Sequence, residues 1–483
     1  MNHRTRREND CHSTIAIIGG GFSGAMLAVQ LLRRAAGNIR IVLVERDPLP
    51  GRGVAYGTQF ASHLLNVRAH NMSAYPDAPD HFVKWAQQNY SMFVTPDDFL
   101  PRPLYGQYIH SEFQAARKSH PGQLRCIPDE VVSLARLGDV TEIGLASGHA
   151  VVADKVVLAL GNFPPGDPAV IGKAMPSPRY FSNPWSRRIP LYANWDKSVL
   201  LIGSGLTSVD VAIELRARGF DGTIHMLSRR GLLPQSHKAT APFPPFWSEN
   251  SPPTVRGLLR LIRLQVITAE AHGSDWRAVI DSLRPVTQQI WQALPTPEKR
   301  RFLRHLRTYW DVHRHRIAEH IGDQLSRQLQ CGQIQMHSGR ITAYREDDAG
   351  IEVAYRDRNS GQLTKLLVDR VINCTGPESD YRRVANPLLK DLMNKGLVRP
   401  DELSLGLDVA DDGALLDAQG KPSNFLYALG PLRKAKLWET IAVPELRLQV
   451  WDLARLLLAD HMPEDAATLA SSIATEIPAS PYQ

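Results

Sequence analysis

Three observations predict an α/β chain built from two doubly wound, nucleotide-binding units. Two short apolar runs each end in a glycine-rich turn and continue as an apolar helix, at 14–32 and again at 198–218. In both, the same 26 positions separate the first glycine of the turn from a charged residue that follows the next apolar run: Gly19 to Glu45, and Gly203 to Arg229. Further apolar strands ending in glycine return late in the chain, which asks for a first domain interrupted by the second.

The first unit begins with Thr14-Ile15-Ala16-Ile17-Ile18, an uninterrupted apolar run of the kind a strand buried on both faces requires. It leads into Gly19-Gly20-Gly21-Phe22-Ser23-Gly24, a G-x-G-x-x-G turn. Gly19 permits the tight turn, Gly21 lets backbone approach a pyrophosphate, and Gly24 lets the helix lie close to the strand. Met26, Leu27, Val29, Leu31 and Leu32 carry the helix onward, and 39–44 reads as the next strand. Glu45 then stands where a carboxylate can accept bonds from the ribose hydroxyls of an adenosine. A lone glycine turn is a weak signal; strand, helix and acid together make it a dinucleotide site.

The second unit repeats the pattern. Residues 198–202 read as a strand, Gly203-Ser204-Gly205 as the turn, 209–218 as helix and 223–227 as strand, with Ser208 in place of the third glycine. Arg229 stands at the position of the acid, with Arg230 beside it. An acid repels a 2′-phosphate and Arg accommodates one, so this site is expected to take NAD(P)H with NADPH favoured. Two dinucleotide sites of opposite ribose chemistry suggest a flavoprotein fed by a reduced nicotinamide.

The expected domains are 14–194 with 366–460 for a discontinuous FAD-binding domain and 195–365 for the NAD(P)H-binding domain. The second carries a helical insertion over 250–333, and 461–483 form an Ala-, Ser- and Pro-rich tail. The first sheet is expected to close at 155–161. A Pro-rich connector follows, and the second unit opens near Trp195. The segments ending "ALG" at 159–161 and "CTG" at 374–376 read as strands ending at a crossing between domains, and 424–429 as a last strand before a helix at 443–459.

Composition bounds the rest. With 483 residues, 43% hydrophobic and 22% charged, the chain suits two or three folded domains. The net charge of +7 is mild and no Lys-rich run exists, which argues against nucleic-acid binding. Only 13 of the 56 basic residues are Lys, an Arg bias that base composition explains in part. Cys11, Cys126, Cys331 and Cys374 form no C-x-x-C pair, so neither a zinc site nor a disulfide framework is expected. No apolar run reaches the ~18 residues of a spanning helix, and 1–10 lack a secretory pattern, so a soluble cytoplasmic protein is expected.

"IAIIGGGFSGAMLA" at 15–28, "GRGVAYGT" at 51–58, "HLLNVRAHNMS" at 63–73, "LIGSGLTSVDVAIEL" at 201–215 and "YWDVHRHRI" at 309–317 resemble the bacterial FAD/NAD(P)-binding flavoprotein family. The resemblance runs from about 14 to 458. That family is distantly similar to flavin monooxygenases with two dinucleotide domains, including FAD-dependent urate hydroxylases and amino-acid N-oxygenases. The resemblance implies that 51–58, with Tyr56, and 66–71, with Asn66 and Val67, lie along the flavin, and that Gly430 closes the FAD site. Pro431 stands where many flavoproteins have Asp, which puts a carboxylate contact there in doubt. It further implies a cycle in which NAD(P)H reduces the flavin and O2 supplies one oxygen atom to a small substrate.

For the substrate, the insertion offers an Arg-rich face. Arg304, Arg307 and Asp311 fall at helical intervals, with Tyr309, Trp310, His313, Arg314 and His315 interleaved. Such a face could hold a small planar anion by bidentate pairing and stacking, or be a solvated helix with internal ion pairs. Urate fits the anionic, planar description, as part of purine metabolism; the alternatives are N-oxygenation of an acidic amino acid and electron transfer to a quinone or partner protein without oxygenation. His70 is a candidate acid–base group beside the flavin, and a structural histidine on the other reading. His313 and His315 make a poor metal pair, since i and i+2 point to different sides of a helix. Cys374 reads as a small buried residue, and Trp185 as packing at the domain junction.

Overall fold

The computed structural model describes residues 13–35, 39–168, 177–186 and 197–459. The basic start, Cys11, Trp195, part of the Pro-rich connector and the 461–483 tail lie outside them. The chain divides into two compact units: 1–57, 67–161 and 379–482 in the first, and 58–66 with 162–378 in the second.

The first unit opens with β1 (Ser13–Ile18), α1 (Phe22–Arg34) and β2 (Ile39–Val44). Then come α2 (Gly53–Tyr56), α3 (His81–Asn89), α4 (Arg102–Ser119) and β3 (Leu124–Ile127). An antiparallel meander, β4 (Val131–Leu137), β5 (Val140–Leu145) and β6 (Ala150–Ala153), precedes β7 (Lys155–Leu158). β1 lies between β2 and β7, parallel to both, and is buried from Ile15 to Ile18, which is why its apolar run is continuous instead of alternating.

The second unit repeats this arrangement. After β8 (Tyr180–Phe181) come β9 (Ser198–Ile202), α5 (Leu206–Ala217) and β10 (Thr223–Ser228). Six helices form the insertion among the described residues: α6 (Val255–Ala271), α7 (Trp276–Ser282), α8 (Thr287–Ala293), α9 (Thr296–His305), α10 (Arg307–Arg314) and α11 (Glu319–Gln330). Thr254 caps α6 by accepting from the Gly257 N–H at 3.2 Å, and Asp275 caps α7 by accepting from the Arg277 N–H at 2.7 Å. The buried Glu298 of α9 accepts from the Val255 N–H at 2.8 Å and so ties the start of α6 to α9. Strands β11 (Ile334–Asp347), β12 (Gly350–Asp357), β13 (Leu363–Val368) and β14 (Arg370–Asn373) complete a sheet in the order β13-β12-β11-β10-β9-β14-β8.

The chain returns to the first unit with α12 (Pro387–Asn394), β15 (Ala414–Leu416) and β16 (Pro422–Ala428), followed by α13 (Lys434–Leu437) and α14 (Val443–Ala459). β16 runs parallel to β7, and the six-stranded sheet reads β15-β16-β7-β1-β2-β3. The late strand therefore extends the first sheet, as the apolar run ending at Gly430 suggested.

The division differs from the sequence expectation at 366. β14 belongs to the second unit, parallel to β9, as β7 is parallel to β1 in the first. The physical reason is a repeat deeper than the glycine turns. Asp154 precedes β7 and accepts from the Thr14 N–H at the start of β1 at 2.7 Å; Asp369 precedes β14 and accepts from the Ser198 N–H at the start of β9 at 2.9 Å. "DKVVLALG" and "DRVINCTG" are thus the same element in two units. Residues 162–168 and 177–186 also fall in the second unit; β8 pairs with β14, and the Asn373 side chain donates to the Gly166 carbonyl at 3.2 Å.

Gly203 adopts φ +116°, and a Cβ there would stand 2.5 Å from the Cys374 carbonyl oxygen. Gly203→Ala is expected to destabilise the second unit by roughly 2 kcal/mol or more, since a strained φ costs ~1–3 kcal/mol before the clash is counted. Thermal unfolding compared with wild type checks this; an unchanged midpoint would contradict the turn geometry.

Candidate functional site

In the first unit, the turn after β1 is built around three close approaches. Gly19 has φ +101°, and a Cβ there would meet the Ala159 carbonyl oxygen at 2.4 Å. A Cβ on Gly24 would stand 1.9 Å from the Gly19 carbonyl oxygen, so α1 can start only if this residue is bare. Gly21 is different: its Cβ would meet only the Gly53 Cα, at 3.7 Å. The space before Gly21 is therefore open, and Gly21 is the extended N-cap of α1 with no side-chain capping bond. That is the form a pyrophosphate cradle takes, with helix N–H groups aimed at an anion.

Glu45 follows β2 and turns back on this loop. Its Oε2 accepts from the Gly20 N–H at 2.5 Å and its Oε1 from the Asp47 N–H at 2.8 Å. Both bonds fix the carboxylate beside the turn and leave lone pairs for two ribose hydroxyls. Gly51 lies beside this turn: its N–H donates to the Gly20 carbonyl at 2.7 Å, it takes φ +100°, and a Cβ there would stand 2.8 Å from Ile109. Gly53 lies against Gly21, and the Tyr56 carbonyl against Gly106 of α4. The Tyr56 ring meets Tyr105 edge-on at 4.7 Å, and burial pushes its hydroxyl pKa up. Gly51, Gly53 and Gly57 were legible as a glycine cluster in the sequence; Gly106, inside a helix, carried no such signal.

Gly430 is brought to the same end of the sheet. With φ +70°, its Cβ position lies 3.4 Å from the Ser23 hydroxyl in the first turn of α1. Its carbonyl accepts from the Thr440 hydroxyl at 2.9 Å and its N–H donates to the Gln449 side chain at 3.2 Å; Gln449 also donates to Thr440 at 2.8 Å. Thr440 and Gln449 were missed because nothing in their local sequence marks them. Pro431 opens a 3-10 turn here, and the buried Arg433 at its end donates to the Asp411 carbonyl at 2.8 Å.

His70 is held locally. Its Nδ1 bonds the Pro96 carbonyl at 2.9 Å, and its Nε2 bonds the Asn71 side-chain amide at 2.9 Å. With one ring nitrogen bonded across to Pro96 and the other to the neighbouring Asn71, the contacts support the structural reading over the acid–base one. Val67 falls in the first unit, whereas Asn66 falls in the second, where its carbonyl is bonded by the His237 Nε2 at 3.1 Å. Asn66 also lines a small cavity with Val209, Asp210, Ile213, Ile317 and Ala318. His63 is buried in the second unit, 3.3 Å from Glu214 and edge-on to Trp185. Trp185 thus packs within this unit.

The second turn copies the first with two changes. Gly205 has open space at its Cβ position, as Gly21 nearly has. Ser208 replaces the third glycine and is fully buried, so α5 accommodates a side chain where α1 does not. Burial pushes the Cys374 thiol up to about 12, and the Ser208 hydroxyl moderates it.

The larger change concerns the residue after the second strand. Gly19 donates to the Val44 carbonyl at 2.9 Å and Gly203 to the Leu227 carbonyl at 2.8 Å. Glu45 therefore corresponds to Ser228, not to Arg229: Ile18 pairs with Val44 and Ile202 with Leu227, so the stretch from the first glycine of the turn to the matching position is one residue shorter in the second unit. Ser228 is neutral, bonded to Ser204 at 2.8 Å, and Arg229 follows it, exposed and without a hydrogen bond or ion pair among the described residues. Arg230 is committed elsewhere. It donates to the His305 carbonyl at 2.9 Å, at the C-terminus of α9 where a cation is favoured, and lies 4.8 Å over the Tyr309 ring.

The expected Arg-rich face disperses. The helix breaks at Leu306 between α9 and α10, so Arg304 and Arg307 do not continue one helical row. Arg304 is exposed, and Arg307 is 3.5 Å from Asp311 in an i,i+4 pair. His313 Nδ1 donates to the Tyr309 carbonyl at 2.7 Å, and the ring meets Trp276 edge-on at 4.6 Å. Arg314 alone turns inward and is buried. Among the described residues no group of three His, Cys, Asp or Glu could hold a metal ion, and no helix is long and apolar enough to cross a membrane.

Residues 16–163 match the family model described as FAD-NAD(P)-binding, so the first unit carries an FAD/NAD(P)-binding domain. No curated protein matches the chain. Solved structures match over almost its whole length. L-lysine 6-monooxygenase of Pseudomonas syringae is 17% identical with a TM-score of 0.65, covering 93% of this chain and 100% of that one. The FAD-bound cadaverine monooxygenase of Erwinia amylovora is 14% identical with a TM-score of 0.64, covering 93% and 95%. The ornithine N-hydroxylase of Kutzneria sp. 744, with reduced FAD, NADP+ and L-ornithine, is 13% identical with a TM-score of 0.61, covering 93% and 100%. The chain therefore has the two-dinucleotide-domain fold of these monooxygenases.

Proposed function

We propose that the chain is an FAD-dependent, NAD(P)H-oxidising monooxygenase that hydroxylates a small amine. The carrying observation is the pair of glycine turns with opposite chemistry after the second strand: Glu45 bonded to its own turn in one unit, Ser228 followed by Arg229 in the other. The residues fit FAD in the first unit. Gly21 and the N-terminus of α1 would face the pyrophosphate, Glu45 would take the adenosine ribose, and Gly430 would close the site beside Ser23. FAD, when bound, supplies the two-electron chemistry between the nicotinamide and O2. In the second unit Gly203, Gly205 and the start of α5 would bind the nicotinamide dinucleotide, and Arg229 its 2′-phosphate.

The matched structures named above act on lysine, cadaverine and ornithine, which favours an amine nitrogen as the point of oxygenation. Nothing among them favours urate or a place in purine metabolism, and the Arg-rich face that suggested a planar anion is not assembled. The test is NADPH oxidation and O2 uptake by the purified yellow protein, with lysine, ornithine, cadaverine, aspartate and urate supplied separately. One amine should raise O2 uptake and yield a hydroxylamine. Urate-dependent uptake with no amine response would replace the amine reading, and turnover on a quinone without O2 would make the protein a reductase.

A further inference from the structure

The insertion in the second unit displays a helix that the dinucleotide turns do not use. Of the 17 residues of α6, only Val255 and Ala269 are buried. Leu258, Leu259, Leu261, Ile262 and Val266 are half-buried. The outward face has a different composition. Arg256, Arg260, Arg263 and Ile267 follow one another at intervals of four, three and four residues, which makes one row along a helix. Leu264 stands one turn beyond Arg260 at the side of that row. All five are exposed, Leu264 at 57% and Ile267 at 64%.

None of the three arginines has a side-chain hydrogen bond, an ion pair or a ring contact among the described residues. The carboxylate bonded at the start of α6 is already held: Glu298 accepts from the Val255 N–H at 2.8 Å and from Arg301. Glu270, the one acid of α6, stands at the other end, seven residues past Arg263. Like charges three and four residues apart on a helix destabilise it. Exposed Leu264 and Ile267 forgo the free energy that burial would give. The row is therefore unfavourable in water on two counts. One kind of surface relieves both, apolar beneath and anionic at its boundary.

Shape and charge select among the occupants of this face. An amphipathic peptide helix docks in a groove, and the outward row of α6 is a single convex surface. A two-fold pairing of α6 with a second copy would set the arginine row against itself, because such an interface repeats one patch on both sides. A nucleic acid would pair with the arginines and leave Leu264 and Ile267 in water. A bilayer surface accepts a convex helix lying flat. The guanidiniums reach the headgroups while their methylene stems and the apolar side chains enter the acyl boundary. Such binding needs no spanning helix.

We propose that the outward face of α6 binds the surface of a membrane containing anionic lipids. Arg256, Arg260 and Arg263 meet the headgroup phosphates, and Leu264 and Ile267 enter the boundary beneath them. Arginine binds phosphate oxygens by charge-assisted bonds, and each basic residue near an anionic leaflet adds to the attraction. The face is separate from the glycine turns, so it does not rest on the monooxygenase reading.

The test is co-sedimentation of the full-length protein with vesicles of equal parts phosphatidylcholine and phosphatidylglycerol, against phosphatidylcholine alone. Wild type should sediment with the anionic vesicles, less so as salt rises, and stay in solution with the neutral ones. Arg260→Gln combined with Arg263→Gln should weaken binding by about tenfold or more. Leu264→Ser combined with Ile267→Ser should weaken it by about tenfold as well. All four positions are exposed, and circular dichroism confirms that the variants fold. Arg340→Gln combined with Arg345→Gln removes the same charge from exposed positions on β11 and should leave binding nearly unchanged. Failure of wild type to bind anionic vesicles would overturn the proposal, as would equal binding to neutral ones. An equal loss in the β11 variant would reduce the effect to net charge and overturn it too. Full binding by the Leu264→Ser, Ile267→Ser variant would rule out insertion. Binding to polyglutamate without binding to vesicles would reassign the face to an acidic protein.

Discussion

Gly21→Ala is expected to give a folded protein that no longer retains FAD. The expectation rests on the contrast among the glycines of the first turn. A Cβ on Gly19 or Gly24 would drive into a carbonyl oxygen at 2.4 or 1.9 Å, so substitution there would disturb the fold itself. At Gly21 the nearest atom would be 3.7 Å away, an ordinary contact, and its backbone is extended, not left-handed. The methyl would instead occupy the space that a pyrophosphate needs above the N-terminus of α1. A loss of at least ~1.4 kcal/mol, or about tenfold in affinity, is the minimum expected. Flavin absorbance per mole of purified protein measures it, and circular dichroism checks that the fold persists. Full flavin content in a folded variant would remove the FAD site from this turn.

Arg229→Ala is expected to weaken NADPH by roughly 10- to 100-fold in kcat/KM and to leave NADH nearly unchanged. A hydrogen bond to a charged group contributes ~1.5–3 kcal/mol, and only NADPH carries the 2′-phosphate that would accept it. Arg230→Ala serves as the contrast. Its guanidinium is bonded to the end of α9, so its loss should lower stability more than it alters the cofactor ratio. Steady-state kinetics with both cofactors decides the matter. An unchanged NADPH-to-NADH ratio in Arg229→Ala would remove the 2′-phosphate argument.

Much of the first turn was legible because each of its residues answers a local demand. Gly19 must take a positive φ, Gly24 must let a helix approach a strand, and an acid must follow the next strand. Such demands act within about thirty residues and leave marks in the sequence. Residue spacing was less reliable across the second turn. Counting 26 positions places Arg229 opposite Glu45, whereas the hydrogen-bond register places Ser228 there. A count along the chain assumes that the turn, helix and connection between the two strands have equal lengths in both units; only the ladder between β9 and β10 says which residues face each other.

By itself the sequence determined two glycine-turn units, the FAD-like acid after the first, the helical insertion and the late return of the chain. Those follow from backbone sterics and hydrophobic period, which are properties of neighbouring residues. Tertiary structure alone decided where β14 belongs, because Asp369 reaches the start of β9 from 171 residues away. It also decided the fate of the arginines. Identical side chains at 304, 307, 314 and 316 become an exposed group, a surface ion pair and two buried cations. Burial is set by what a helix packs against, and that information is not written in the helix.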